Sequence, residues 1–441
     1  MTEREPRGSR RGFLSALGTT TATGGIAALA GCATLSDDGS SERVTFHASE
    51  LPDVGDHPVV ALGATYPTGV PRAHRRDAQA RTNDALEDVP TPLGARRVPN
   101  GHVREHLTDA VREARDRLDD ALRAPTPRET LQSLRSARSH ARYASAGWDA
   151  IEDDLTVAAF DDEATDVTDR AADARDAMDY VGTDPAPAVV VHASRERLLD
   201  EAASVSEDVS HGDVRVLHVA EFGEHVERAR ASLADARTVG ERFRDAQPDD
   251  AGSLRPTIVD ARARLREELE SALADLPGED AAMTVTGADI EDTRTERLLH
   301  ELHYEATARD PASSRYGPAS AVIDAIRQLA AIRAYRAVSG RISSGRRYEI
   351  TGPEPIRAAY SRAHEALRAA PRRSDFPALT RTALRYAASS VRFADERLAR
   401  QSGELHSHDV DGAYEQYVVQ GAIAEAAPVA VGTALDALDA N

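Results

Sequence analysis

Two sets of histidine and glutamate have the spacing of metal ligands. His218, Glu221 and His225 stand at i, i+3 and i+7, and Glu296, His300 and His303 at i, i+4 and i+7. On a helix each set shares one face. Helical bundles hold iron or manganese with Glu and His projected inward from several helices. Neutral imidazole with carboxylate suits zinc, iron or manganese better than Cu(I). These six residues are therefore candidate ligands for a transition metal. His406-Ser407-His408-Asp409 could add a ligand from a loop. A third cluster reads His102-Val103-Arg104-Glu105-His106. Its two imidazoles, four apart, could bind zinc while Glu105 acts as general base on a zinc-bound water. Hydrolysis of that kind needs a third ligand, which the sequence does not place. Gly340 to Arg347 has the glycine spacing of a phosphate loop but lacks its Lys and Ser/Thr, so it reads as a helix end and turn. No catalytic residue is assigned.

The elements that must position these groups are helical. Val103, Leu107, Val111, Ala114, Leu118 and Leu122 fall three or four apart. So do Phe222, Val226, Ala229, Leu233 and Ala236, and the series from Leu254 through Ile258, Leu265 and Leu269 to Leu276. Each series makes one apolar stripe. Between them Arg112 with Asp116 and Glu113 with Arg117 form i,i+4 pairs. Pro and Gly clusters punctuate the pattern. The expectation is an all-α protein, an antiparallel multi-helix bundle of about nine or ten helices. A Pro/Gly-rich lead-in, residues 44–100, has room for a short strand pair at Val44–Phe46 and Val59–Leu62, and for a helix over His74–Asp88. Residues 188–192 and 214–219 are β-branched enough to be strands. The helical ectodomain spans 101–441. Leu134-Arg135, Ala137 and Arg142-Tyr143-Ala144 match Leu384-Arg385, Ala387 and Arg392-Phe393-Ala394 at an offset of 250 residues. Two related halves, about 101–250 and 251–441, would give such a match, as would chance in a chain rich in Ala, Arg and Leu. Trp148, the single tryptophan, reads as packing.

Charge describes the solvent. There are 74 acidic and 54 basic residues, a net charge of −20, and every basic residue is Arg. This lysine-free acidity resembles that of proteins from extreme halophiles. At ~1 M salt the Debye length is ~3 Å, so self-repulsion is screened. In dilute buffer the same charge loosens the compact state. Acid spread along the whole chain also argues against nucleic acid, whose phosphates need a basic footprint.

The first residues give an address. Ser9-Arg10-Arg11-Gly12-Phe13-Leu14 precedes a weakly apolar run to Ala30, and Leu29-Ala30-Gly31-Cys32 follows. The segment resembles the signal of twin-arginine-exported lipoproteins of the haloarchaeal type: Arg10 and Arg11 as the export pair, residues 1–31 as the cleaved signal. The resemblance implies a lipid on Cys32, a tether over 32–43, and attachment to the extracytoplasmic face of the cell membrane. It covers only the start of the chain. Cys32 is the one cysteine, so no internal disulfide is possible. The resulting expectation is a lipid-anchored helical ectodomain that binds or scaffolds an envelope protein or a small ligand. The alternatives are a cell-surface metal protein and, more remotely, a zinc hydrolase.

Overall fold

The computed structural model describes residues 44–54, 66, 68–205, 214–278, 290–308 and 315–440. The export pair Arg10 and Arg11, the acylation site Cys32 and the extended run Val59–Leu62 lie outside them. Among the described residues there are thirteen α-helices: α1 Arg72–Glu87, α2 Gly101–Arg123, α3 Pro127–Glu152, α4 Asp161–Asp176, α5 Pro185–Ala203, α6 Arg215–Asp245, α7 Arg255–Ala274, α8 Arg294–Thr307, α9 Pro318–Ser343, α10 Pro353–Ala369, α11 Pro377–Ala383, α12 Arg385–Ala399 and α13 Asp411–Asp439. The protein is all-α.

Prolines that punctuate the sequence start helices. Pro127, Pro185, Pro318, Pro353 and Pro377 each open one, because the first helical position has no use for an N–H and a fixed φ is already helical. Side-chain caps finish several starts. Asn100 accepts from His102 and Val103, Thr126 from Glu129, and Asp184 from Ala186.

The helices form two groups. In the first, α3 and α6 pack together, with α1 and α2 against α3 and with α4 and α5 against α6. In the second, α9 and α13 are central, flanked by α7, α8, α10 and α12. The groups join where α5 packs along α9, and one hydrophobic core runs through both, from Val189 and Leu233 to Ile326 and Tyr417. Two small antiparallel ladders tie distant segments. Thr45–His47 pairs with Glu404–His406, and Val181–Gly182 with Gly252–Ser253.

Several details differ from the sequence expectation. The ladder at Thr45 is made with Glu404–His406, a partner far along the chain. The β-branched run 188–192 lies in α5, where Val189, Val190, Val191 and His192 are all buried. A helix enclosed on every side needs no alternation, so its composition mimics a strand. Residues 215–219 likewise begin α6. Leu122 leaves the apolar stripe of α2 and is 77% exposed. Arg112 turns to Asp109 at 2.9 Å, not to Asp116, while Glu113 does pair with Arg117 at 3.6 Å. The chain also holds more and shorter helices than expected.

α13 is long and apolar enough to cross a membrane by length and composition, and 56% of its most apolar window is buried within the protein. Trp148 is buried beside Leu107 and Tyr143, with Arg97 stacked 5.7 Å from its ring centre.

Candidate functional site

The chemistry concentrates where the two helix groups meet. A cavity of about 500 Å³ is walled by the start of α3, the middle of α5, α9, α11 and α12. Among the described residues seven arginines line it, Arg128, Arg135, Arg197, Arg327, Arg381, Arg385 and Arg392, against the one carboxylate of Glu129. Thr126, Gln132, Ser194, Thr382 and Ser389 supply hydroxyl and amide groups. A second chamber of about 160 Å³ shares Arg128, Gln132, Arg135, Ser194, Arg197 and Arg385, carries the carboxylate of Glu201, and reaches the buried Tyr66. In a chain of net charge −20 this is a local inversion of sign.

Four of the seven arginines have acidic partners. Arg135 donates to Asp235 at 2.8 Å, and Asp235 also meets His74 at 2.8 Å. Asp324 takes Arg197 at 2.8 Å and Arg327 at 3.6 Å. Arg392 reaches Glu396 at 3.9 Å on the surface. Arg128, Arg381 and Arg385 have no carboxylate at ion-pair distance among the described residues. Burial, followed by the neighbouring Arg128 and Arg197 charges, pushes the Arg385 guanidinium down to about 9. Burial also lowers Arg128, with Arg135 and Arg197 adding to the effect and Tyr66 and Glu129 opposing it. At about 9, Arg385 still carries its charge at neutral pH. An anion placed among them would relieve that strain.

Local structure holds these side chains in place. Arg128 and Arg135 lie two turns apart on α3, whose start is fixed by the Thr126 cap and Pro127. Behind them α3 is clamped to α1 and α6. Glu227 of α6 accepts from Arg81 at 2.6 and 2.7 Å and from Arg138 at 2.7 Å. Burial pushes the Glu227 carboxyl up, but these guanidiniums hold it below its ordinary value. Across the cavity, Leu384 ends α11 and starts α12, which turns Arg381 and Arg385 to the same space. At the rim Arg327 lies 4.9 Å over the ring of Tyr386, which is 49% exposed.

A larger cleft of about 780 Å³ between α9, α10 and α13 also carries arginine. There Glu425 meets Arg341 at 3.1 Å and Arg362 at 3.7 Å, and alanines form much of the wall. Its charge is closer to balanced, so the smaller cavity is the stronger candidate.

The candidate metal ligands take other places. Glu296 accepts from the backbone of Asp292 at 2.7 Å, while Thr293 caps the same helix start. His303 is buried, meets the Pro277 carbonyl at 2.9 Å and lies edge-on to Tyr335. His300 of the same helix is exposed. That set is therefore divided between a helix cap, the surface and a buried backbone contact. His218 and Glu221 are half-buried on α6, and His225 lies by Arg228 and Arg315 in a separate depression. In the third cluster His102 and His106 touch edge to face, 4.4 Å between ring centres, beside an exposed Glu105. Among the described residues no group of three or more His, Cys, Asp or Glu is placed to hold a metal ion. His406 and His408 stack on each other, 5.4 Å apart, with Asp409 closing the turn onto the His406 N–H.

The sequence alone does not single out the arginine cavity. One trace of it exists: the offset match aligns Arg135 with Arg385, and both line the cavity, one from each helix group. Leu134 and Leu384, and Ala137 and Ala387, are buried behind them. The match then diverges, since Tyr143 is buried and Phe393 is 54% exposed.

Residues 73–250 match the model of a domain of unknown function (DUF8262), and residues 255–436 match a second domain of unknown function (DUF8264). No curated protein and no solved structure matches the chain. The cavity takes α3 and α5 from the first matched region and α9, α11 and α12 from the second.

Proposed function

We propose that this protein is a lipid-anchored extracytoplasmic binding protein whose helical ectodomain takes an anionic ligand into the arginine-lined cavity. The observation that carries the binding half is the trio Arg128, Arg381 and Arg385, which converge on one cavity without carboxylate partners among the described residues. Enclosed charge of one sign is costly unless something pairs with it. Arginine forks are suited to planar, two-point recognition of oxyanions. The anchor half is supported by Arg10-Arg11 and by Leu29-Ala30-Gly31-Cys32.

Two experiments test it. Cys32→Ser should move the protein from the membrane fraction into the soluble one; retention on the membrane refutes the anchor. The same full-length variant, purified in multi-molar KCl, should unfold at a higher temperature when pyrophosphate or sulfate is added, as for any ligand that binds only the folded state. Arg385→Gln should remove that rise. If no oxyanion moves the midpoint, the anion-binding reading fails.

A further inference from the structure

We infer that the ligand of the arginine cavity is an oligophosphate, a soluble anion of two or more linked phosphoryl groups. The inference rests on the anion-binding reading above and narrows it.

Size and layout come first. The main chamber, about 500 Å³, is in the range of pockets that take whole small molecules, and the second adds about 160 Å³ behind a shared wall. A single oxyanion would fill a small part of the larger chamber. The unpaired charges are distributed in the same way. Arg381 lines only the larger chamber, while Arg128 and Arg385 line both. All three face the larger chamber, and two of them also face the second, so the positive wall is continuous from one chamber to the other. A chain of linked phosphoryl groups can place an anionic centre in each chamber.

Hydrogen-bond capacity points the same way. Each guanidinium carries five N–H donors and no acceptor. Ser194 and Thr382 add hydroxyls, and among the described residues the carboxylates are Glu129 in the larger chamber and Glu201 in the second, where Glu201 lies 3.9 Å from Arg135. The cavity therefore wants a ligand dense in acceptor oxygens and poor in donors. Phosphoryl chains meet that demand in a compact form, because each unit presents its terminal oxygens in a tetrahedral array that several guanidiniums can reach at once. Amines and polyhydroxylated sugars meet it worse.

Salt supplies the third argument. The composition suits concentrated salt, where ~3 Å of screening removes most long-range attraction. A monovalent anion then has little advantage over chloride. An anion that bonds several guanidiniums at once keeps short, directional contacts that screening does not reach, and it gains from multivalency.

The test is a calorimetric titration of the full-length Cys32→Ser protein in multi-molar KCl with orthophosphate, pyrophosphate, tripolyphosphate, citrate and adenosine triphosphate. Tripolyphosphate should bind on the order of tenfold or more tighter than orthophosphate and tighter than citrate, since each added charged hydrogen bond is worth about that factor. Arg385→Gln should weaken tripolyphosphate by about tenfold while changing orthophosphate less. Arg381→Gln, at the larger chamber alone, repeats the test with the inner wall intact, and an unchanged unfolding midpoint without ligand certifies its fold. Adenosine triphosphate binding more tightly than tripolyphosphate would assign the oligophosphate to an ester, with Tyr386 at the rim as a platform. Equal binding would assign it to the free chain. Orthophosphate or citrate binding as tightly as tripolyphosphate overturns the oligophosphate while leaving an anion site standing. Silence from every anion overturns the site itself.

Discussion

Glu196 reaches from the first helix group to cap a helix in the second, and removing it should be costly. Its side chain is 1% exposed. Oε1 accepts from the Tyr180 hydroxyl at 2.8 Å and from the Ala319 N–H at 2.9 Å, and Oε2 accepts from the Ser320 N–H at 2.6 Å. It thus caps α9 from α5, in the place where a local Ser, Asp or Asn usually stands. Residue 317 at that start is Gly, and a β-carbon there would overlap the Glu196 carboxyl. Burial pushes the Glu196 carboxyl up, and the hydrogen bonds donated by Ser320, Ala319 and Tyr180 oppose that shift. Glu196→Ala would strand three donors. Each unsatisfied buried donor costs about 1–3 kcal/mol, and water entering the void left by the side chain brings the sum to about 3–5 kcal/mol. Glu196→Gln keeps one acceptor oxygen at the helix start, so it should cost less, roughly 1–3 kcal/mol. Chemical denaturation in multi-molar KCl, followed by helical circular dichroism, measures both. A Glu196→Ala variant within about 0.5 kcal/mol of the parent, the range of neutral surface changes, would refute the reasoning. So would a Gln variant that is worse than Ala.

Gly317→Ala should destabilise for the same reason, and combining it with Glu196→Ala should cost less than the sum of the two, because the clash then has no partner. His192 is 1% exposed and held neutral by burial, down to about 4, with its Nε2 on the Val181 carbonyl at 3.1 Å. The unfolded chain binds that proton first, so the His192 contribution is complete above about pH 6.5 and is lost as pH falls toward 4. The loss is about 3 kcal/mol at most, and His192→Gln should flatten that part of the stability profile. The unfolding midpoint should rise with KCl, because screening relieves a net charge of −20 more than it weakens exposed pairs such as Arg123–Asp119; a flat or falling midpoint refutes this.

How much of the molecule is legible in the sequence follows from the range of each signal. Helical period is local, so the stripes on α6 and α7 show in the residue spacing alone. Phe222, Val226 and Ala229, and Ile258, Leu265 and Leu269, are all buried. Period fails where a helix is enclosed all round. α5 and α9 have apolar residues on every side, as at Val189–Val191 and Ile323–Ile326, and in α5 the β-branched run imitates a strand. The histidine clusters mislead for a related reason. Spacing can put Glu296, His300 and His303 on one side of a helix but cannot say what that side faces. Here it faces, in turn, a helix cap, solvent and the Pro277 carbonyl. The cavity is out of reach of such signals because its arginines come from residues 128 to 392, and among 54 arginines none is conspicuous.

The inversion of sign inside an acidic protein has a physical logic. On the surface, salt decides how far a charge is felt, and at ~1 M that distance is about one atomic diameter. Inside a cavity framed by five helices, a bound anion meets guanidinium at hydrogen-bond distance, shorter than the screening length. An outer shell of carboxylate and an inner shell of guanidinium are therefore nearly independent in concentrated salt. The first sets solubility and the second selects a ligand. In dilute buffer they couple. The acidic exterior then repels an approaching anion, so the on-rate for tripolyphosphate should first increase as salt is added, before competition by chloride lowers the affinity. A basic exterior would give the opposite initial slope. Stopped-flow binding across a KCl series distinguishes the two, and an on-rate that falls from the lowest salt upward would mean that the anion enters by a route the acidic surface does not guard.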